Sequence, residues 1–431
     1  MNLMQFCNTD KNGNPVSVFD DEIFRFLKEK LCLIVIGGNV YIYRDGCFRL
    51  DSNGAQLKTE IRKLILPKLV KSTTVKRIYD LFLMDSELQE KPENLNQFPV
   101  HWIPFKNGFY DPLECCMMPY SPVYRCINQL PHEYDPSAKH TGHVVDEWLD
   151  FITPDTEDRE MMLQFIGYCM TADTRQQKFL ILCGTGGSGK STLIKMIESI
   201  IGTDNISNIS LKELSQRFAS YGLLGKLLNS CADLEVNALE DVSLLKKILG
   251  EDSIRAEAKG KDAISFKSYA KLIFSTNELP LILNEKSNGF YRRLMVLKMD
   301  KKPVSVDADF FSKLQTESDY FIQLCVKALQ RMYQQGMIHV SPNSEQAVQT
   351  LRNDSDTVSA WLNEVCILDE TSITAQTALY HSYELYCDMN DRTPLKVRSF
   401  YKSLESKGFH DIKTTIDGKG GTVGRKGISL K

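Results

Sequence analysis

The sequence predicts an α/β protein of several domains, in which a phosphate-binding-loop core lies between a mixed α/β N-terminal domain and a C-terminal winged helix. Three observations predict this class. An apolar strand at residues 179–183 runs through a glycine-rich turn into a helix, a helix and three short strands follow one another within residues 18–50, and two helices precede a Gly-rich, strand-like ending. The 431 residues suffice for two to four domains, which we expect at 1–140, 141–340 and 341–431.

The glycine-rich turn has the pattern GxxxxGKST, which is typical of loops that bind the phosphates of a nucleoside triphosphate. Glycines let the backbone approach the phosphates, and the helix that follows directs unpaired N–H groups toward them. We expect Lys190 to reach the β and γ oxygens of ATP and Ser191 to offer a hydroxyl to Mg²⁺. The predicted ATP-binding residues are Gly184, Thr185, Gly186, Gly187, Ser188, Gly189, Lys190, Ser191 and Thr192.

In the N-terminal domain, Gly- and Asp-rich turns separate short apolar runs, which predicts an antiparallel meander. The expected elements are a helix at 19–30, strands at 31–36, 40–43 and 47–50, and a helical stretch at 55–66. Residues 58–77 carry seven positive side chains and one negative one, a net charge of +6. A solvated helix face and a nucleic-acid-binding surface both explain such a segment, and the sequence leaves both open.

Residues 90–140 are rich in Pro, Asn and short strand signals and are expected to form irregular connecting structure. Helices are expected at 144–152, 158–171, 311–335, 344–353, 357–365, 375–390 and 394–408, with a strand-like tail at 410–431. Residues 392–431 carry ten positive and three negative side chains, a net charge of +7 in a chain whose total is −3. We expect this region, including Arg398 and Lys402, to dock on duplex DNA; a solvated tail is the alternative.

Two strands after the loop end in polar side chains suited to ATP hydrolysis. An apolar run at 223–232 ends in carboxylates, where such folds place the acid that holds Mg²⁺ and polarises the attacking water. Asp233 is the candidate metal-side acid and Glu235 the candidate base, and acids in the loop after a strand end are the alternative. A buried strand at 271–276 ends at Asn277, whose amide can hydrogen-bond the γ-phosphate or the water.

Cationic side chains follow in two places. Residues 248–267 alternate polar and apolar on both sides of Lys259-Gly260-Lys261, which predicts a β-hairpin with a DNA-contacting tip or a plain exposed hairpin. Arg292 and Arg293 begin another apolar strand, where a guanidinium suits insertion into the ATP site of a neighbouring subunit. Surface arginines at a strand start are the alternative.

The order of these motifs resembles that of superfamily 3 helicases of the phage and plasmid primase-helicase type. The likeness covers roughly residues 100–431 and rests on the loop, the Asp233 strand, the hairpin, Ser275-Thr-Asn277-Glu-Leu-Pro280 and Phe290-Tyr-Arg-Arg293. It implies an AAA+ motor core, a homo-hexameric ring with ATP sites between subunits, single-stranded DNA in the central pore and a winged helix on duplex DNA. By this resemblance, Lys190 and Ser191 bind phosphate and Mg²⁺, Asp233 is the Walker B acid and Asn277 is sensor 1. Lys259 and Lys261 would grip DNA, and Arg292 or Arg293 would be the arginine finger.

The chain departs from that family in two positions. Ser188 stands where relatives have Asn, a change that we expect to be tolerated because backbone groups bind most of the phosphate. The acid that relatives have next to the Walker B acid is displaced here to Glu235, two positions after Asp233. The 140 residues before the motor contain no paired-acid primase signature, so we expect unwinding without priming.

Composition limits the kind of protein and the cellular location that are expected. The net charge of −3 excludes a protein that is basic throughout. The twelve Cys show no CxxC pair or zinc-ligand spacing, which argues against a disulfide or zinc framework. Without a long apolar run or a signal-peptide pattern, the chain is expected away from membranes, in the cytoplasm of a bacterial host.

Together these features predict an ATP-dependent replicative DNA helicase of a phage, plasmid or mobile element that loads itself at an origin, with a separate primase or polymerase as a further partner. An ATP-switched, origin-binding initiator that recruits another helicase is the first alternative. A small-molecule kinase is the second, although the flanking domains and the cationic hairpin have no use in one.

Overall fold

The computed structural model describes residues 2–214, 216, 218–232, 242–257, 263–280, 282, 288–305, 307–390, 392–416 and 419–431. Four of the predicted site residues, Asp233, Glu235, Lys259 and Lys261, lie outside these ranges. The described part is a mixed α/β structure in which a parallel sheet forms the centre and antiparallel sheets flank it in the chain. None of its described helices has the length and apolar character that crossing a membrane requires.

In the N-terminal part, three helices pack with an antiparallel meander. The elements are β1 (Cys7–Thr9), β2 (Pro15–Val18), α1 (Asp20–Lys30), β3 (Leu33–Ile36), β4 (Asn39–Arg44), β5 (Cys47–Leu50), α2 (Ala55–Lys63) and α3 (Ser72–Met84). Ile23, Val35, Ile61 and Ile78, one from each of α1, β3, α2 and α3, are fully buried in one cluster. The predicted first helix and meander are confirmed to within two residues. Two strands, β1 and β2, and the helix α3 escaped prediction.

Residues 90–140 are more ordered than predicted. They contain an antiparallel sheet of β6 (Ile103–Phe105), β7 (Gly108–Asp111) and β8 (Cys116–Met118). Phe109 is fully buried, with the rings of Phe98 and Tyr120 each 4.5 Å away and that of Trp102 5.6 Å away. The short strand signals are confirmed by these three strands, and the expectation of irregular structure was wrong for them alone. Strands of three or four residues are too short to show alternation, and aromatic packing between separate segments holds them.

Two predicted helices lead into the central sheet and are confirmed as α4 (His143–Ile152) and α5 (Thr156–Cys169). Asp155 begins α5 by accepting hydrogen bonds from the backbone N–H groups of Glu157 (2.9 Å) and Asp158 (3.1 Å). The following elements are β9 (Phe179–Cys183), α6 (Lys190–Ile201), β10 (Ile206–Ser207), α7 (Leu211–Leu214), β11 (Leu228–Cys231), α8 (Ser243–Leu249), β12 (Ser253–Ala256), β13 (Ile264–Lys267), β14 (Lys271–Thr276), α9 (Asn288–Tyr291) and β15 (Leu294–Lys298).

Five of these strands form a parallel sheet in the order β10-β11-β14-β9-β15. Side chains of β9 alternate between two hydrophobic clusters, with Leu180 and Leu182 in one and Phe179 and Ile181 in the other. Both faces of the sheet are therefore covered, as parallel strands require. The strand predicted at 223–232 is shorter and covers Leu228–Cys231, because a 3₁₀ turn ends at Leu223 and a further turn with Gly225 at φ +72° follows it.

Helices follow the sheet and then a second antiparallel sheet ends the chain. The elements are α10 (Phe310–Thr316), α11 (Ser318–Gln335), α12 (Pro342–Ser355), α13 (Thr357–Val365), β16 (Cys366–Ala375), α14 (Gln376–Met389), α15 (Val397–Ser406), β17 (Asp411–Ile416) and β18 (Lys419–Leu430). The terminal sheet has the order β16-β18-β17, and its helices share a core around Trp361, Tyr383 and Phe400. Strand β16 was missed by prediction. The predicted domain limits stay predictions, and α12 contributes Ala347 and Leu351 to the core beside the parallel sheet.

Candidate functional site

The glycine-rich loop lies at the carboxyl edge of the parallel sheet, between β9 and α6. A Cβ added to Gly184 would lie 2.0 Å from the backbone oxygen of Met299, so only glycine allows the loop to leave β9 beside the end of β15. Gly189 begins α6 at φ +94°, a conformation that a side chain would strain. The glycines determine the path of the loop and leave Thr185, Gly186 and Gly187 exposed.

Lys190 and Asn277, two residues predicted separately, meet at this edge. The Lys190 side chain is buried, and its Nζ donates hydrogen bonds to the backbone oxygens of Gly184 and Thr185, the latter at 3.0 Å. The same Nζ lies 3.3 Å from Oδ1 of Asn277. The pair forms because β14 lies directly beside β9 in parallel register, so the residue after β14 emerges next to the loop. The lysine ammonium is thereby held over the loop by uncharged oxygens.

Three hydroxyl side chains of the loop and α6 have different surroundings. Ser191 is exposed on the first turn of α6, and Thr192 is half-buried. Ser188 is buried, and its Oγ has no hydrogen-bond partner within the described residues. The exposed Ser191 hydroxyl is accessible to a metal ion on a bound phosphate, which fits its predicted role.

Two carboxylates near the loop escaped the sequence prediction. They are Asp300 and Glu278, and both act on the thiol of Cys183, the last residue of β9. Burial raises the pKa of this thiol and the two carboxylates raise it further, whereas the ammonium groups of Lys298 and Lys190 lower it. Asp300 follows β15 and Glu278 follows Asn277, so both belong to the same carboxyl edge of the sheet. Their position after apolar strands was a signal that could have identified them.

Arg292 and Arg293 lie at the opposite, amino edge of the sheet. The backbone N–H of Phe179, where β9 begins, donates a hydrogen bond to the backbone oxygen of Arg293 at 2.9 Å. Oε1 of Gln177 accepts a hydrogen bond from Nη2 of each arginine, at 3.0 Å from Arg292 and 3.1 Å from Arg293. From Phe179 to Gly184 the strand rises about 17 Å at ~3.3 Å per residue. The two guanidiniums are therefore remote from the loop of their own chain.

The arginine pair is crowded by a third cation. Nζ of Lys178 donates to the backbone oxygen of Arg292 at 2.7 Å. Burial lowers the pKa of Lys178, and the charge of Arg292 lowers it further. Burial and Arg292 also lower the pKa of Arg293. Gln177, which sequence analysis missed, supplies the uncharged oxygen that holds two like charges together.

A buried lysine occupies the start of β14 at this amino edge. Nζ of Lys271 donates to the backbone oxygens of Thr171 and Tyr269, the latter at 3.2 Å, and lies 4.6 Å from the centre of the Tyr168 ring. Burial lowers its pKa to about 8, against a smaller opposite effect of Cys169 and Asp173. The lysine joins the end of α5 to the sheet.

The predicted hairpin is present as β12 and β13, which pair antiparallel. Ser253 lies opposite Lys267 at the base, and Ala256 lies opposite Ile264 toward the tip. Its tip with Lys259 and Lys261 lies outside the described residues. At the pair nearest its tip, the hairpin approaches the N-terminal meander, since a Cβ on Gly37 would lie 3.6 Å from Cγ2 of Ile264.

In the C-terminal basic region, Arg398 and Lys402 are exposed one turn apart on α15. Other cations counted there serve the fold. Nζ of Lys407 pairs with Asp356 at 2.7 Å, and the buried Arg425 donates to the backbone oxygen of Phe409 at 2.8 Å. The net charge of +7 therefore overstates the charge available to a ligand.

Three family models match parts of the chain. Residues 18–154 match a family described as D5 N terminal like, residues 182–293 match a family of unknown function (DUF5906), and residues 353–412 match a family described as poxvirus D5 protein-like. The chain is also 26% identical over 317 residues to "Putative helicase L207/L206" of Acanthamoeba polyphaga mimivirus. That match covers 67% of this chain and 32% of the relative, so the chain spans about a third of the length of the curated relative it matches. These matches support a relationship to D5-like proteins.

Solved structures of the NrS-1 C terminal region are similar across almost the whole chain. The A form apo structure covers 95% of this chain and 98% of its own, with 12% identity and a TM-score of 0.49. Another apo structure of the region covers 94% of this chain and 98% of its own, with 13% identity and a TM-score of 0.49.

Proposed function

We propose that the chain is the ATP-hydrolysing motor of a replicative DNA helicase of a virus, plasmid or other mobile element. The observation that carries this proposal is the meeting of Lys190 and Asn277 on a GxxxxGKST loop, at the carboxyl edge of a parallel sheet. Ligands of open α/β sheets bind at that edge. The D5-like matches and the viral relative named a helicase support the replication role.

The described residues fit ATP and Mg²⁺. Lys190 is held by carbonyl and amide oxygens that a phosphate can replace, and the exposed backbone of the loop continues into α6. Asn277 would then contact either the lysine or the γ-phosphate and so distinguish ATP from its product. Mg²⁺ would neutralise phosphate charge, with Ser191 and Asp233 as its proposed protein ligands. Asp233 and Glu235 remain proposals from sequence.

The position of the arginines supports sites shared between subunits. Arg292 and Arg293 emerge at the edge of the sheet opposite to Lys190, and the connecting strand rises about 17 Å. An arginine there can complete an ATP site only in another subunit. We propose a closed ring of identical subunits, with six as the number that the helicase resemblance implies.

Two regions are proposed to contact DNA. Lys259 and Lys261 at the hairpin tip would grip a single strand in the pore, and Arg398 and Lys402 would contact duplex phosphates. The terminal order of α13, β16, α14, α15 and the β17–β18 hairpin supports a winged helix, which presents one exposed helix to DNA.

The test compares Lys190→Ala with Lys195→Ala, which removes an exposed lysine from the same helix. Lys190→Ala should lower ATPase activity about 100-fold or more, because it removes a preorganised cation from the phosphates. Lys195→Ala should leave it unchanged. ATPase activity with and without single-stranded DNA and strand displacement on a forked duplex are the measurements. DNA-stimulated ATPase without strand displacement would favour the initiator instead, and ATPase activity of an isolated monomer that ignores DNA would refute both.

A further inference from the structure

A basic groove lies between α2 and α3 in the N-terminal part, away from the elements used above. Its volume is about 620 Å³. The lining residues are Lys58, Thr59, Arg62, Val70, Ser72, Val75, Lys76, Tyr79 and Asp80. The groove thus joins an apolar floor to three cationic side chains, with one carboxylate.

The helices that form the groove are held firmly from behind. Leu57 and Ile61 of α2, and Ile78 and Phe82 of α3, have no exposed surface and pack in one hydrophobic cluster. Asp51 adds a cap, since its carboxylate accepts hydrogen bonds from the backbone N–H groups of Gln56 and Leu57, each at 2.9 Å. The cationic side chains therefore project from a preorganised surface.

The cations of residues 58–77 divide into paired and available ones. Nζ of Lys63 binds Glu60 at 2.7 Å, and Arg77 forms a bidentate pair with Asp20. Within the described part of the chain, the exposed Arg62 and Lys76 form no ion pair.

Lys58 is placed differently from the other two cations. Its Nζ donates to the backbone oxygen of Asn53 at 2.6 Å and lies 4.5 Å from the centre of the Tyr79 ring. Among the residues that the structure describes, no carboxylate pairs with Lys58, and neither a backbone oxygen nor a ring neutralises its positive charge. The groove consequently retains a positive charge. A helix face that is only solvated has no need of such a concentration of charge, whereas a nucleic-acid-binding surface does.

We propose that this groove binds the phosphodiester backbone of a single-stranded DNA segment, an inference that rests on the proposed DNA-dependent function. Lys58 and Arg62 lie one helical turn apart, about 6 Å along the axis, and Lys76 faces them from α3. Val70, Val75 and Tyr79 form an apolar floor that sugars and bases of a single strand can contact. A duplex would offer that floor much less apolar surface.

The experiment compares two full-length triple variants with the same change in net charge. The groove variant is Lys58→Gln/Arg62→Gln/Lys76→Gln, and the control is Lys11→Gln/Lys91→Gln/Lys139→Gln, at three exposed lysines elsewhere. Binding of single-stranded and duplex oligonucleotides is measured without nucleotide, from about 50 to 200 mM salt. The slope of log K against log [salt] is negative, and loss of three phosphate contacts should reduce its magnitude by about 2 for a single strand. The control should keep the wild-type slope.

A local measurement separates the groove from the other DNA contacts. Acetylation of lysines, followed by mass spectrometry, should show Lys58 and Lys76 protected by the single strand, and Lys11 and Lys139 unprotected. Equal slopes for both variants, no protection, or protection by duplex alone would overturn the proposal. DNA-independent ATPase activity should be unchanged in the groove variant. If ATPase activity is absent from the wild type, the proposed function fails; if it is normal and the groove variant binds like wild type, only the groove inference fails.

Discussion

Mixed rings test whether one subunit completes the ATP site of another. Lys190→Ala subunits lack the phosphate-binding lysine but keep both arginines. A variant of Arg292 or Arg293 to Ala keeps the lysine but lacks that guanidinium. Because a finger arginine contributes about 10³–10⁵ to kcat, the homogeneous variant of the finger arginine should have almost no ATPase activity, like the homogeneous Lys190→Ala protein. The two defects lie on opposite edges of the same sheet, so they can compensate only across an interface.

The size of the recovery follows from the geometry. If an interface uses the lysine of one subunit and the arginine of the next, random mixing in equal amounts makes about one quarter of the interfaces complete. The expected ATPase activity is thus about one quarter of wild type, whatever the number of subunits. If both groups acted within one chain, no interface would recover. The separation of about 17 Å along β9 favours the first case.

The assay mixes the subunits as dissociated chains, then adds ATP and single-stranded DNA and measures phosphate release. Lys195→Ala mixed with the finger-arginine variant is the control, and it should give about half of the wild-type activity because every subunit keeps Lys190 and half of the subunits supply the arginine. Testing the arginines separately identifies the finger. Activity of the Lys190→Ala mixture that stays at the level of the homogeneous variants would refute a shared site. The finger is the arginine whose Ala variant is inactive alone and recovers about one quarter of the activity in the mixture, whereas the Ala variant of the other arginine is active alone and gives about one half in the mixture.

Three further outcomes are expected. Gln177→Ala should lower kcat for ATP hydrolysis about 10-fold with little change in KM, because it removes the oxygen that holds Arg292 and Arg293. A raised KM with unchanged kcat would contradict this positioning role. Ser188→Ala should raise the free energy of unfolding by about 1 kcal/mol, since it removes a buried hydroxyl that lacks a hydrogen-bond partner among the described residues. The measurement is a denaturant titration without nucleotide. A lower free energy of unfolding would show that the hydroxyl forms a hydrogen bond in the folded protein. For Lys271, the folded-state pKa of about 8 lies below the reference value of 10.5, so between these pH values the unfolded chain holds more protons and stability rises with pH. Wild type should therefore gain stability relative to Lys271→Met over that window, and a constant difference in melting temperature would be inconsistent with the lowered pKa.

Short-range patterns identified much of the candidate site. The strand, glycine turn and helix around Lys190 lie within a few residues of one another, and so do the strands of the hairpin. Periodicity and turn chemistry act over such distances, so the sequence reports them directly. The first helix and meander were predictable for the same reason. Segments with strands of three or four residues, such as β6–β8, carry too little pattern to be recognised.

What the sequence by itself determined is therefore the chemistry available at each strand end. Which ends meet was decided by the tertiary structure alone. Asn277 reaches Lys190 across 87 positions because β14 pairs with β9, and Gln177 reaches Arg293 across 116 because β15 pairs with the other side of β9. Strand order results from burying both faces of the sheet at once, a property of the whole core that no single segment contains.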